Sequence, residues 1–109
     1  MLDRFDLDTA VTAFDDAASR PADIVVNATP LGAHGESLPL PSLGGDTLVV
    51  DLLYRPASTP LLVSARGAGA AAFGGLGLLL HQAAISFELW TGTQPPLAAM
   101  SAAAMAELT

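Results

Sequence analysis

Two short apolar runs constrain this chain most. Ile24–Val25–Val26 is β-branched and bounded by polar residues, and Thr47–Leu48–Val49–Val50–Asp51–Leu52 is continuous in hydrophobicity instead of alternating with period two. Strands of that kind are covered on both faces, which is the habit of a parallel sheet between layers of helix. The segments around them fit that plan. Asp8 to Ser19 places Val11, Phe14, Ala17 and Ala18 on one helical face, with Asp8 or Thr9 as cap and Pro21 as stop. From Thr29 to Gly45 the chain holds Pro30, Gly32, Gly35, Pro39, Pro41, Gly44 and Gly45, so this stretch is expected to be a loop.

Arg55–Pro56 ends the second strand, and a helix is expected from Thr59–Pro60 to Arg66, with proline at its first position and Gly67 as stop. Ala70 to Phe73 is a strand by its position between helices more than by propensity. After a Gly74–Gly75 turn, Leu76 to Trp90 is apolar nearly all round, which predicts a helix packed on several sides. Gly92 caps it, and Pro95–Pro96 opens a last, alanine-rich helix through Leu108, read as a packing surface. The order helix, strand, loop, strand, helix, strand, helix, helix gives an α/β fold with parallel strands and right-handed crossovers, about half of a doubly wound sheet. No G-x-G-x-x-G fingerprint is present; Gly67-Ala-Gly69 and Gly75-Leu-Gly77 lack the strand and the spacing.

Composition removes several function classes. The 109 residues suffice for one domain, and 51% hydrophobic against 14% charged residues is a packed composition, not a disordered one. The net charge of −7 is set against only Arg4, Arg20, Arg55 and Arg66, with no lysine, so no nucleic-acid surface is expected. The missing lysine also removes an ammonium acid/base group. Without cysteine there is no disulfide framework or thiolate metal site, which suits a cytoplasmic protein. Gly67 to Phe87 is free of charge, but its five glycines, with His81 and Gln82 inside it, argue against a membrane span. No basic leader precedes an apolar stretch at the amino terminus, so no secretory signal is expected.

Few side chains carry chemistry. Asn27 and Thr29 close a strand and by turn chemistry alone simply turn the chain. Asp51 ends the next strand, where a cap or turn bond competes with a general-base reading. Tyr54 is either a half-buried aromatic with a wet hydroxyl or a substrate contact. Gln82, in an apolar helix, is expected to be a buried amide whose partners a ligand can supply, whereas His81 should face solvent or a neighbouring element. His34 has no second histidine nearby, so no metal site is expected.

Three stretches in order carry a closer likeness: Ala22-Asp-Ile-Val-Val-Asn27-Ala28-Thr29-Pro30-Leu31-Gly32; Val50-Asp51-Leu52-Leu53-Tyr54-Arg55-Pro56 with Thr59-Pro60-Leu61-Leu62; and Gly74-Gly75-Leu76-Gly77-Leu78-Leu79-Leu80-His81-Gln82-Ala83-Ala84 leading to Phe87-Glu88-Leu89-Trp90-Thr91-Gly92. In sequence and spacing they resemble the shikimate dehydrogenase family, from about Ala22 to Leu108. The resemblance implies a partial Rossmann-like sheet, the carboxy-terminal half of an NADP-binding domain spanning the whole chain. It implies that Asn27, Ala28 and Thr29 lie beside the ribose and nicotinamide side of NADP, and that the backbone at Leu52 touches the nicotinamide. Gly75 would approach the ring, and Leu78 would pack on it where methionine is usual. Tyr54 and Gln82 would hydrogen-bond a shikimate-like substrate. Gly75 and Gln82 also make chemical sense, one by letting a flat ring approach backbone and the other by offering both donor and acceptor.

The family's substrate domain with its lysine–aspartate pair, its glycine-rich diphosphate loop and its 2′-phosphate-reading arginine have no counterpart in these residues. The implied activity is reversible NADP-dependent reduction of 3-dehydroshikimate in aromatic amino-acid biosynthesis, with quinate as an alternative substrate. This chain would contribute binding and no catalytic residue, as a truncated product, a fragment inactive alone, or one piece of a split enzyme. The competing expectation is a non-catalytic interaction module or degenerate fragment, because an open edge at Ile24–Asn27 favours self-pairing or a complementing chain.

Overall fold

The computed structural model describes residues 8–108. Three strands, β1 (Ile24–Asn27), β2 (Leu48–Asp51) and β3 (Ala71–Phe73), form one parallel sheet in the order β1-β2-β3. Helix α1 (Pro60–Gly67) crosses between β2 and β3, and α2 (Gly75–Thr91) and α3 (Leu97–Leu108) follow the last strand. The α/β plan and all three strands agree with the sequence, including the alanine-rich β3.

Register divides the sheet into two unlike faces. Ile24 pairs with Leu48 and Leu48 with Ala71, Val25 with Val49 and Val49 with Ala72, and Val26 with Val50 and Val50 with Phe73. Paired residues share a face. The Val25–Val49–Ala72 row faces the core, where Val49, Leu61, Ala65 and Ala70 are buried and Leu38, Leu40 and Leu43 pack against them. The proline- and glycine-rich loop therefore does more than connect: its Leu-Pro-Leu-Pro stretch supplies the lid of this core. On the other face, Ile24, Val26 and Phe73 are more than half exposed.

Helix α1 begins as the sequence predicts, with Thr59 as N-cap accepting from the Leu62 N–H and proline in the first turn. It runs one residue further than expected, through Gly67, and the positive φ falls on Gly69 at +85°. Gly92 ends α2 in the left-handed region with φ 68°, its N–H donating to the Glu88 carbonyl.

Three expectations fail. The segment from Asp8 is not an α-helix: residues 8–13 are irregular and Phe14–Ser19 is a short 3-10 turn, with Val11 86% exposed. An amphipathic face stabilises a helix only when something covers it; Phe14 meets a groove with Val25 and Leu38, but Val11 is left uncovered. The expected contributions of Ala17 and Ala18 lie outside the described residues. Helix α2 does not pack on several sides either; only Gly75 and Ala84 are buried, and Leu78, Ile85, Leu89 and Trp90 are exposed. The alanine-rich α3 buries no residue, although it does contact α2.

Candidate functional site

The carboxyl ends of parallel strands are where such sheets bind ligands, because side chains and backbone groups splay open there. In this chain the ends of β1 and β2 are joined by a buried polar network. Asn27 is 4% exposed and Asp51 is fully buried. The Asn27 amide donates to the Leu31 carbonyl at 3.0 Å and to Asp51 Oδ1 at 3.1 Å. Its Oδ1 accepts from the Thr29 N–H at 3.0 Å and from the Thr29 hydroxyl at 2.7 Å. Those four bonds use the full capacity of a primary amide. The Asn27 side chain thus shapes the turn that presents Ala28 and Thr29 and has no bond left for a ligand. Asp51 fulfils the turn-and-cap reading: Oδ1 accepts from the Leu53 N–H at 3.0 Å and Oδ2 from the Thr59 hydroxyl at 2.6 Å. The sequence shows Asp51 and the Thr59–Pro60 helix start as separate features; the signal that joins them is an acidic strand end eight residues before a capping threonine.

The amino terminus of α2 abuts the chain after β2. The Gly75 N–H donates to the Leu53 carbonyl at 2.9 Å, and a Cβ on Gly75 would fall inside the van der Waals shell of the Leu52 carbonyl. Glycine is thus required at position 75 by the protein's own backbone, a stronger reason than the approach of a ring. Against this junction lies a cleft of about 210 Å³ lined by Leu52, Tyr54, Gly75, Leu78, Leu79 and Gln82. Five residues singled out from the sequence, Leu52, Tyr54, Gly75, Leu78 and Gln82, meet there. A larger apolar hollow of about 520 Å³ adjoins it, sharing Tyr54, Gly75 and Leu78 and reaching Leu48, Val50 and Phe73 on the uncovered sheet face. Asn27 and Thr29 line a separate groove with Leu38 and Leu40, so the structure does not bring them into the same hollow.

The burial expected of Gln82 is not found. Its residue is exposed, because the face of α2 that carries it has no covering element among the described residues. Tyr54 is 42% exposed, and its neighbour Arg55 reaches α3, with Nη2 3.6 Å from Glu107 Oε1. His81 is exposed as expected.

One carboxylate goes unnoticed in the sequence. Glu36 Oε2 accepts from the Gly32 N–H at 3.0 Å and the His34 N–H at 2.9 Å, closing the turn that follows Thr29. Hydrogen bonds from its own N–H, then from those of His34 and Gly32, hold its pKa below the ordinary glutamate value, with a smaller favourable effect of the His34 charge. Gly32 at φ +107° and Gly35 at φ +88° are the visible signal of so tight a turn. Among the described residues no cluster of three His, Cys, Asp or Glu side chains is arranged to hold a metal, and no helix is long and apolar enough to cross a membrane.

Comparison with known proteins agrees with this geometry. Residues 75–105 match the family model described as the shikimate 5'-dehydrogenase C-terminal domain. Shikimate dehydrogenase (NADP(+)) of Methanocella arvoryzae is 47% identical over 88 residues, covering 78% of this chain and 33% of the relative. A crystal structure of a shikimate dehydrogenase in complex with NADP+ superposes with a TM-score of 0.75 at 34% identity, over 87% of this chain and 35% of that one. Quinate dehydrogenase from Corynebacterium glutamicum in complex with NAD gives a TM-score of 0.71 at 35% identity, over 78% of this chain and 31% of that one. The chain spans about a third of the length of the curated relatives it matches. In sequence and in fold, then, this chain is similar to the carboxy-terminal region of shikimate dehydrogenases.

Proposed function

We propose that these residues form the carboxy-terminal half of an NADP-binding domain and supply cofactor and substrate contacts for the interconversion of 3-dehydroshikimate and shikimate. One observation carries the reading: Leu52, Tyr54, Gly75, Leu78 and Gln82 converge on one cleft at the carboxyl end of β2. The lining suits the group. Leu52, Leu78 and the glycine backbone make a flat apolar wall for a nicotinamide ring, and the Tyr54 hydroxyl and Gln82 amide stand at its rim as the polar groups a polyhydroxylated acid needs. The turn formed by Asn27, Ala28 and Thr29 borders the ribose side.

When bound, NADP supplies the hydride exchanged with the substrate carbonyl carbon. The chain's own part is to orient ring and substrate and to keep water off the apolar wall. Carbonyl reduction also needs a proton donor. The resemblance assigns that work to a lysine–aspartate pair, and this sequence has no lysine, so the chain contributes binding and no catalytic residue.

The test is a titration with NADPH and then shikimate, followed by calorimetry and by amide NMR shifts, with shikimate oxidation assayed in the same sample. The expected result is NADPH-induced shifts at Leu52, Gly75 and Leu78, shikimate-induced shifts at Tyr54 and Gln82, and no turnover. Shifts elsewhere only, or none, sink the site; turnover sinks the claim that the acid/base group comes from outside this chain. Quinate with NADH, favoured by the likeness to quinate dehydrogenase, is run in parallel as the second reading.

A further inference from the structure

Asp51 is fully buried, and it receives three donors, none of them a cation. Desolvating a carboxylate is costly, and an apolar side chain of similar volume would stabilise a core at least as well. What the carboxylate does that an apolar group cannot is fix directions. Oδ1 ties the end of β1, through the Asn27 amide, to the Leu53 N–H just past β2. Oδ2 takes the hydroxyl of Thr59, the residue that caps α1 through the Leu62 N–H at 3.4 Å. One side chain therefore pins both ends of the loop that carries Leu52 and Tyr54. The next link runs outward: Leu53, held by its N–H, uses its carbonyl to hold the Gly75 N–H and with it the first turn of α2.

We propose that Asp51 is a positioning residue for cofactor binding: through Leu53 and Thr59 it sets the spacing between the Leu52 backbone and the Gly75 turn, the two walls against which the nicotinamide ring rests. This deepens the reading given under Proposed function and rests on it. Asp51 itself, being fully buried, touches neither cofactor nor substrate. Thr59 is equally buried, so its hydroxyl serves Asp51 and the cap alone.

The experiment uses the 109-residue chain with Asp51→Ala, Asp51→Asn, Thr59→Val and Thr59→Ser, reading residue-resolved amide hydrogen exchange and NADPH affinity. Asp51→Asn can turn its NH2 toward the rotatable Thr59 hydroxyl and keep both Oδ1 bonds, so it is expected to stay near wild type. Losing a buried hydrogen-bond partner corresponds to roughly tenfold or more in an equilibrium. Asp51→Ala and Thr59→Val should accordingly raise exchange at Leu53 and Gly75 and weaken NADPH by about that factor. Exchange at Val49 and Ala72 should be unchanged, and Thr59→Ser should restore both readouts. Exchange rising uniformly across the sheet in Thr59→Val marks a merely structural role and overturns the proposal, as does unchanged NADPH affinity with a loosened Gly75. If Asp51→Ala does not fold, the two Thr59 variants decide the matter. A wild-type chain that binds no NADPH counts against the cofactor reading, and the exchange pattern then separately decides whether Asp51 holds Leu53 and Gly75.

Discussion

Glu36 folds back onto the turn it terminates, and its lowered pKa gives that contact a pH signature. A carboxylate whose folded pKa is depressed contributes stability above its unfolded pKa, about 4.3 for glutamate, and loses it as pH falls through the lower folded value. The causes are hydrogen bonds from its own N–H and those of His34 and Gly32, so the loss should be local. The protection of the Gly32 and His34 amides, taken against the intrinsic exchange rate at each pH, is expected to be constant well above the ordinary glutamate value of about 4.3 and to be lost as pH falls below it, with no such step in Glu36→Gln. A flat profile in the wild type would remove the contact. Gly75 gives a second residue-scale expectation. A methyl group there meets the Leu52 carbonyl, so Gly75→Ala must shift the start of α2 and weaken the Gly75 N–H bond to Leu53. Overpacking of this kind costs about 1–3 kcal/mol, readable as a lowered thermal midpoint. A Gly75→Ala variant as stable as the wild type would mean that this junction yields freely. Both Gly75 and Gln82 show what sequence reading reaches at this scale. Gly75 stands out in the sequence for the approach of a ring, whereas contact with the protein's own backbone already requires it. Gln82 is expected to be buried when burial is inferred from neighbours in sequence, and exposure is set by neighbours in space.

At the scale of elements, the three strands and the helices α1 to α3 were legible because local physics fixes them, whereas the helix expected from Asp8 is only a 3-10 turn over Phe14–Ser19. Continuous β-branched runs, a threonine–proline start to α1 and a left-handed glycine after α2 each act within a few residues. Burial was not legible, because it depends on what lies across. The all-round apolar character of α2 predicts several packing partners, yet Leu89 is 79% exposed, while Leu62 on the short α1 is fully buried. Leu38, Leu40 and Leu43 are hidden in a stretch whose prolines and glycines mark a loop, and they nonetheless complete the core. The contrast predicts unequal costs for the same substitution. Leu62→Ala should lower stability by about 2–5 kcal/mol, the range for a deleted core leucine. Leu89→Ala should stay within about 0.5 kcal/mol, as exposed sites do. Urea unfolding of both variants at the same low protein concentration makes the comparison, and equal losses would show that α2 is covered in solution.

The whole molecule exposes more surface than its size requires. Its accessible area is 7622 Å², whereas scaling for a compact monomer of 11.0 kDa gives about 5,600 Å². Its radius of gyration is 16.4 Å, against about 13 Å for a compact chain of 109 residues. Among the described residues, Ile24, Val26 and Phe73 on the sheet face and Leu78, Ile85, Leu89 and Trp90 on α2 are exposed, and β1 is an edge strand. An apolar face with an open strand edge at its margin is a template on which another strand can pair. Charge opposes self-pairing: a net −7 on each copy repels, and salt screens that repulsion, with a Debye length falling from about 10 Å at 0.1 M to about 3 Å at 1 M. Self-association should therefore strengthen as salt rises, opposite to an ion-paired interface. Val26→Lys, which sets a charge on the exposed face of the edge strand, should weaken it at every salt concentration. Sedimentation velocity across protein and salt concentrations reads both effects. A wild-type chain that stays monomeric throughout would reject pairing of copies.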